Sequence, residues 1–253
     1  MPTALITGAS SGLGAEFARQ LAARGADLVL VARDRQTLLD SAAELRARFG
    51  VAVEVLVADL TSRRQLAAAE RRVASDERPV EILVNNAGFG LPLAFERNDI
   101  DDEVTHLRLH VEASMRLMHA ALGPMLARGH GRIVNVASIA ALMPRSTYGA
   151  AKGWLLSFSR WANVRYRPRG VTVTAVCPGF VHTNFHERLG LPPGEEGIAP
   201  ALWIDARLVV RQALRAVARG KAVCVPSLRY KLIAAVVRVL PASISARLGN
   251  TGR

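Results

Sequence analysis

Cysteine is nearly missing from this chain of 253 residues: only Cys177 and Cys224 occur. Both lie inside apolar runs, TAVCPG and AVCVP, so a disulfide framework is not expected and strand packing in a reducing, cytoplasmic setting is. Long hydrophobic runs are missing too. The nearest candidate for a membrane span, LIAAVVRVLP at 232–241, is about half the length a span requires and carries Arg238. The first apolar run, ALIT, leads straight into a glycine-rich turn, which leaves no space for a cleaved signal peptide. Aromatics make up 5% of the chain. None form a platform interleaved with cations, so nucleic acid is not an expected partner despite a net charge of +12. Acids are scarce at one end. Residues 201–253 hold ten Lys or Arg against a single acid, Asp205, so the basic balance belongs to the C-terminal part. Only three of the 33 basic residues are lysines, Lys152, Lys221 and Lys231.

What the chain does contain is a rhythm. Short apolar runs alternate with helical patterns: ALIT then 12–24, DLVLVA then 35–48, VAVEVLVA then 62–76, VEILVN then 99–127, GRIVNVAS then 147–165, and VTVTAVC. Near-continuous apolar strands of this kind belong to sheets covered on both faces. The expected fold is a single α/β domain over 1–253, a doubly wound Rossmann-type sheet of about seven mostly parallel strands with helices on both faces. There is no internal repeat. The rhythm lapses at 183–204, a stretch rich in proline and glycine that reads as a lid, before a helix restarts with Asp205 as N-cap. A basic C-terminal segment runs from about 227 to 253.

Two motifs carry chemistry. YGAAK puts Tyr148 and Lys152 four residues apart, one turn apart on one helix face. An ammonium beside a phenol favours the phenolate and makes Tyr148 a usable proton donor and acceptor. TGASSGLG at 7–14 follows the first strand and opens a helix, the arrangement whose glycines and amides receive a dinucleotide pyrophosphate.

TGxxxGxG, DL at 59–60, NNAG at 85–88, the serine of NVAS, YxxxK at 148–152 and PGFVHT at 178–183 come in the order seen in the classical branch of the short-chain dehydrogenase/reductase family, which this chain resembles from residue 3 to about 226. The resemblance implies an oxidoreductase that interconverts a carbonyl and a secondary alcohol by hydride transfer. Tyr148 would be the general acid or base, Ser138 would hold the substrate oxygen, and Lys152 would support the phenolate and bond the nicotinamide ribose. A serine at that place could also simply cap the following segment. Gly8, Ser10, Ser11, Gly12, Leu13 and Gly14 would form the pyrophosphate turn. Asp59 and Leu60 would meet the adenine, and Asn86, Ala87 and Gly88 the adenosine half. Pro178, Gly179, Val181 and Thr183 would frame the nicotinamide.

NADP is expected over NAD, because Ala32 and Arg33 stand where an NAD enzyme carries its ribose-binding acid and a guanidinium can clamp a 2′-phosphate. Asp34 either turns inward or caps the next helix, and Arg35 and Ser10 could assist at the phosphate. Two features depart from the family. His110 occupies the place of an asparagine that usually bonds a water beside the lysine, and reads either as a relay or as a packed histidine. The step from Ser138 to Tyr148 is only ten residues.

Phe89, Leu91, Leu93, Leu142, Met143, Phe180, Phe185, Leu189, Leu191 and Trp203 are expected to wall a cleft for a lipophilic substrate. His182 and His186 share metal-ligand spacing, but no third ligand accompanies them and no metal is expected. The resemblance also implies a homodimer or homotetramer through the helices at 99–127 and 147–165. Arg207, Arg211, Arg215 and Arg219 recur every four residues, a solvated face or a peripheral contact with a membrane or an acidic carrier. The competing class is a non-catalytic NADP-binding redox sensor or scaffold.

Overall fold

The computed structural model describes residues 1–143, 145–183 and 199–241. Within them lie seven strands: β1 (Thr3–Thr7), β2 (Asp27–Ala32), β3 (Val53–Val57), β4 (Val80–Asn85), β5 (Gly131–Val136), β6 (Val171–Val176) and β7 (Val223–Cys224). They form one sheet in the order β3-β2-β1-β4-β5-β6-β7. Every strand pairing is parallel, so the mostly parallel sheet expected from sequence is parallel throughout its described part. Chain order reverses between β1 and β4, the point at which a doubly wound sheet opens a crevice beyond its strand ends.

Side-chain alternation divides the core. Ala4, Ile6, Leu28 and Leu30 pack with α1 (Gly12–Ala22), α2 (Arg35–Phe49), α7 (Ala206–Ala218) and α8 (Leu228–Val239). Leu5, Val29 and Val31 face the opposite way, toward α3 (Arg63–Ala74), α5 (Ser114–Arg128) and α6 (Ser146–Tyr166). Successive strand residues point to opposite faces, so both layers use the same strands. Both cysteines are buried, and neither is in a disulfide.

The helix expected over 99–127 is not uniform. It comprises α4 (Ile100–Leu107), a π-helical turn over Arg108–Ala113, and α5. The periodic pattern gave no sign of the inserted residue, because a π turn disturbs the register of only one turn. Asp205 caps α7 as expected, accepting from the backbone N–H groups of Arg207 and Leu208 at 2.7 and 3.2 Å. Arg207, Arg211 and Arg215 lie on the exposed side of α7, and Arg219, its C-cap, is exposed as well. Most of the expected lid, with Phe185, His186, Leu189 and Leu191, lies outside the described residues. Its base does not: Val181 and Ile204 form a parallel bridge, with His182 N–H donating to Ile204 O at 3.2 Å and Ile204 N–H to Phe180 O at 3.0 Å.

Candidate active site

The carboxyl ends of β1, β4, β5 and β6 surround one cleft of about 190 Å³. Its floor at one end is the glycine turn, with Gly8, Ser10, Ser11, Gly12 and Leu13 lining it. Gly14 lies just behind. A side chain there would force the backbone to shift, since a Cβ would stand 2.0 Å from the Gly8 carbonyl oxygen. This close approach seats α1 against the turn and aims its N-terminal amides at the cleft. The Ser11 side chain does not cap α1, and no acid occupies the first turn, so the positive end of the helix faces the cleft uncompensated by a local carboxylate. That is the environment a pyrophosphate requires.

Asn86 fastens the turn to β4. Its side-chain amide donates to Thr7 O at 3.0 Å and Gly8 O at 3.2 Å, while the Asn86 and Ala87 backbone N–H groups reach Thr7 Oγ1 at 2.9 and 3.0 Å. Asn86, Ala87 and Gly88 line the cleft.

Ser138, Tyr148 and Lys152 line the same cleft, brought there by the end of β5 and the first turns of α6. Ser138 caps the segment that follows it. Its Oγ accepts from the Ala140 N–H at 3.1 Å and caps the 3₁₀ turn Ile139–Leu142, which leaves the hydroxyl hydrogen able to donate. The short step to Tyr148 is accommodated at Ser146, whose φ is +75°. A non-glycine residue in that region stores strain, and it sits two residues before the tyrosine.

Lys152 is 5% exposed. Its Nζ donates to Val136 O at 2.7 Å and lies 5.6 Å from the centre of the Tyr148 ring. Burial pushes its pKa down from 10.5 to about 7. Beneath the site a buried chain locks α6 to the sheet: Asn85 Nδ2 donates to Asn135 Oδ1 at 2.9 Å, Asn135 Nδ2 to Ser159 Oγ at 2.8 Å, and Ser159 Oγ to Leu155 O at 2.6 Å.

His110 lines the cleft from the π turn and is 2% exposed. Its Nε2 lies 2.7 Å from Phe89 O and 3.2 Å from Phe89 N. One nitrogen cannot donate and accept at once, and the shorter contact makes it the donor to the carbonyl. Gly88 leaves space for the ring, since a Cβ would stand 2.4 Å from His110 Cε1. His110 is therefore packed and latched to the loop, and its ring edge stands 5.6 Å from that of Tyr148, centre to centre.

A second histidine was not anticipated. His106, wholly buried, packs tilted against His110 with ring centres 4.3 Å apart, and its ring centre lies 5.9 Å from that of Tyr148. Burial lowers its pKa to about 4, helped by Lys152, and also holds His110 well below the ordinary value of 6.5. Both rings are neutral near neutral pH. Buried Glu103 completes the cluster, accepting from Asn98 Nδ2 at 2.8 Å and Thr147 Oγ1 at 2.5 Å. The spacing of Glu103, His106 and His110 along one helix was the available signal. Arg145, beside the tyrosine, also lines the cleft and was missed.

Pro178, Gly179, Val181 and Thr183 form the remaining wall, together with Phe180 and Leu93. Other expected wall residues go elsewhere. Phe89 packs edge-on to His106, Leu142 packs into the core, and Trp203 stands 6.0 Å from Phe180, ring to ring, with His182 stacked on it. Three expected cofactor residues are also not in this cleft. Leu60 is buried in the core at 6% exposure, and the Asp59 carboxylate accepts from Thr61 N and Oγ1 at 2.9 and 2.7 Å. Arg33 is exposed just past the end of β2. Asp34 turns to its helix, accepting from Thr37 N at 3.1 Å and Thr37 Oγ1 at 2.7 Å. Among the described residues no cluster of three metal ligands occurs.

A doubly wound parallel sheet with a glycine turn, a serine, a tyrosine and a lysine on one cleft defines a dinucleotide-dependent oxidoreductase architecture. Comparison makes the assignment: the short chain dehydrogenase family model matches residues 2–192, and the chain belongs to that family. Among solved structures it is similar to a short-chain dehydrogenase from Sphingobium yanoikuyae in complex with NADPH, with 37% identity, a TM-score of 0.86 and 93% of each chain covered. It is also similar to the bulky-bulky ketone specific alcohol dehydrogenase from Comamonas testosteroni, at 33% identity, a TM-score of 0.81 and coverage of 93% of this chain and 92% of that one. A curated relative, the ketoacyl reductase HetN of Nostoc sp., is 32% identical over 182 residues, 71% of this chain and 63% of that protein.

Proposed function

We propose that this protein is an NADP-dependent enzyme, working as one domain, that interconverts a lipophilic ketone and its secondary alcohol. The observation that carries the proposal is the single cleft shared by the uncapped end of α1 and by Ser138, Tyr148 and Lys152. The cofactor, when bound, supplies the hydride. Tyr148 hands its phenolic proton to the carbonyl oxygen as that oxygen becomes an alkoxide, and takes the proton back in the reverse direction. Ser138 donates its remaining hydrogen to the same oxygen and fixes it beside the phenol. Lys152 has one N–H on Val136 O, leaving two donors for the ribose hydroxyls and the tyrosine side.

The 2′-phosphate is assigned to Arg33. It is exposed and unobstructed by the adjacent acid, because Asp34 is committed to the Thr37 cap. The NADPH complex of the Sphingobium relative supports this choice, and the ketone named for the Comamonas relative supports a bulky substrate. Asp59 and Leu60 shape the loop on the adenine side rather than facing the cleft. A cytoplasmic setting is consistent with two buried cysteines outside any disulfide.

A homo-oligomer is proposed through α6, where Trp154 and Phe158 stack with ring centres 5.2 Å apart and Trp161 and Val164 stand 53% and 77% exposed. Steady NADPH consumption with a panel of bulky ketones, abolished in Tyr148→Phe, tests the proposal. Tight NADPH binding without turnover on any ketone or acyl substrate would instead favour a redox sensor.

A further inference from the structure

α8 has two faces. At about 100° per residue, Tyr230, Ala234 and Val237 share one side and are 3%, 4% and 7% exposed. Leu228, Leu232, Val236 and Val239 fall on the other side, within about 80° of arc, and are 72%, 61%, 54% and 80% exposed. No other described helix exposes four large apolar side chains.

Building on the lipophilic-substrate reading above, we propose that this outer face of α8 seats the protein on an anionic lipid bilayer, with the cleft opening beside the membrane surface. Arg229 and Lys231 are exposed and flank the apolar stripe, one on each side. Aliphatic residues between cations are what an interfacial helix presents to acyl chains and anionic headgroups. The sole acid between 201 and 253 is Asp205, which caps α7, so this stretch of chain carries a single charge that opposes the attraction.

Charge also decides between occupants. A second copy meeting this face about a two-fold axis would set the flanking cations against their own equivalents. An acidic carrier protein would match the cations but not the aliphatic stripe.

The buried side of α8 ties the surface to the site. Tyr230 Oη accepts from Phe180 N–H at 3.0 Å and donates to Leu202 O at 2.7 Å, its ring pressed on Gly179. Gly179 and Phe180 line the cleft. A docked α8 thus places the cleft wall about one helix diameter, ~10 Å, from the headgroups, and a ketone dissolved in the bilayer has a short way to travel.

The test uses the full chain and sedimentation with two kinds of vesicle, phosphatidylcholine alone and phosphatidylcholine with one quarter phosphatidylglycerol. Wild type is expected to sediment with the anionic vesicles and to be released by salt. The double variant L232E/V236E, altered only at exposed positions, is expected to lose about tenfold or more of that binding. It should keep its thermal midpoint, its oligomeric state and its turnover of a water-soluble ketone. Lys231→Glu should weaken anionic binding alone. Tyr148→Phe should dock like wild type, so loss of turnover and loss of docking are read separately. The proposal is overturned by equal sedimentation of wild type and double variant, by vesicle binding indifferent to phosphatidylglycerol, or by a change of oligomeric state in the double variant. Capture by an acidic acyl carrier protein in place of vesicles overturns it as well.

Discussion

The Lys152 ammonium is bonded to the Val136 carbonyl at 2.7 Å, so the helix that carries Tyr148 is pinned to the strand that leads into Ser138. That hydrogen bond, with the buried Asn85–Asn135–Ser159 chain, holds the three side chains in register. Lys152→Met should lower kcat/KM about a hundredfold or more while the protein stays folded. Lys152→Arg should not rescue it, because a planar guanidinium is too large for the buried slot. Steady-state kinetics with the thermal midpoint measured in parallel checks both.

Tyr148→Phe removes the proton donor and little else. A fall in kcat of about 10²–10⁴ is expected, with NADPH affinity within a few fold of wild type. Fluorescence titration of NADPH separates the two.

Arg33→Ala should raise the KM for NADPH by about ten- to a hundredfold, corresponding to one charge-assisted contact. The KM for NADH should change little. An equal rise for both cofactors would remove Arg33 from the phosphate.

The buried histidines make a prediction about acid. His106 has a folded pKa of about 4 against 6.5 in the open chain, so between those values the unfolded state binds the extra proton. Its contribution to stability is complete above about pH 6.5 and is lost as pH falls toward 4; His110 acts in the same direction. Thermal midpoints should therefore drop most steeply through that window. His106→Phe, which keeps the ring volume but cannot be protonated, should flatten part of the drop.

Gly14→Ala should be severe for its size. The added methyl would meet the Gly8 carbonyl at 2.0 Å, and moving α1 away spoils the pyrophosphate turn. A lower thermal midpoint together with weaker NADPH binding is expected, and an unchanged affinity would refute the role given to α1.

Much of this was legible in the chain. DLVLVA and VEILVN match β2 and β4 residue for residue, because strands buried on both faces are written as unbroken apolar runs. Tyr148 and Lys152 were legible because helical spacing fixes their common face. What could not be read depends on tertiary packing. The slide of α4 into a π turn leaves no mark on hydrophobic periodicity, and the tilted contact of His106 with His110 follows from that turn and from the space above Gly88. The burial of the Leu60 side chain in the core, at 6% exposure, is likewise a matter of packing that its motif does not state. Arg145 escaped notice because a lone arginine before a helix has no pattern.

The bridge between Val181 and Ile204 joins the chain just before Thr183 to the chain just after Trp203. A segment that departs and returns at one place adds little strain to the scaffold when its length or composition changes. The stretch between Thr183 and Trp203 can thus be exchanged as a cassette. Substrate choice is free to diversify there while the cofactor half, fixed by β1 and α1, stays as it is.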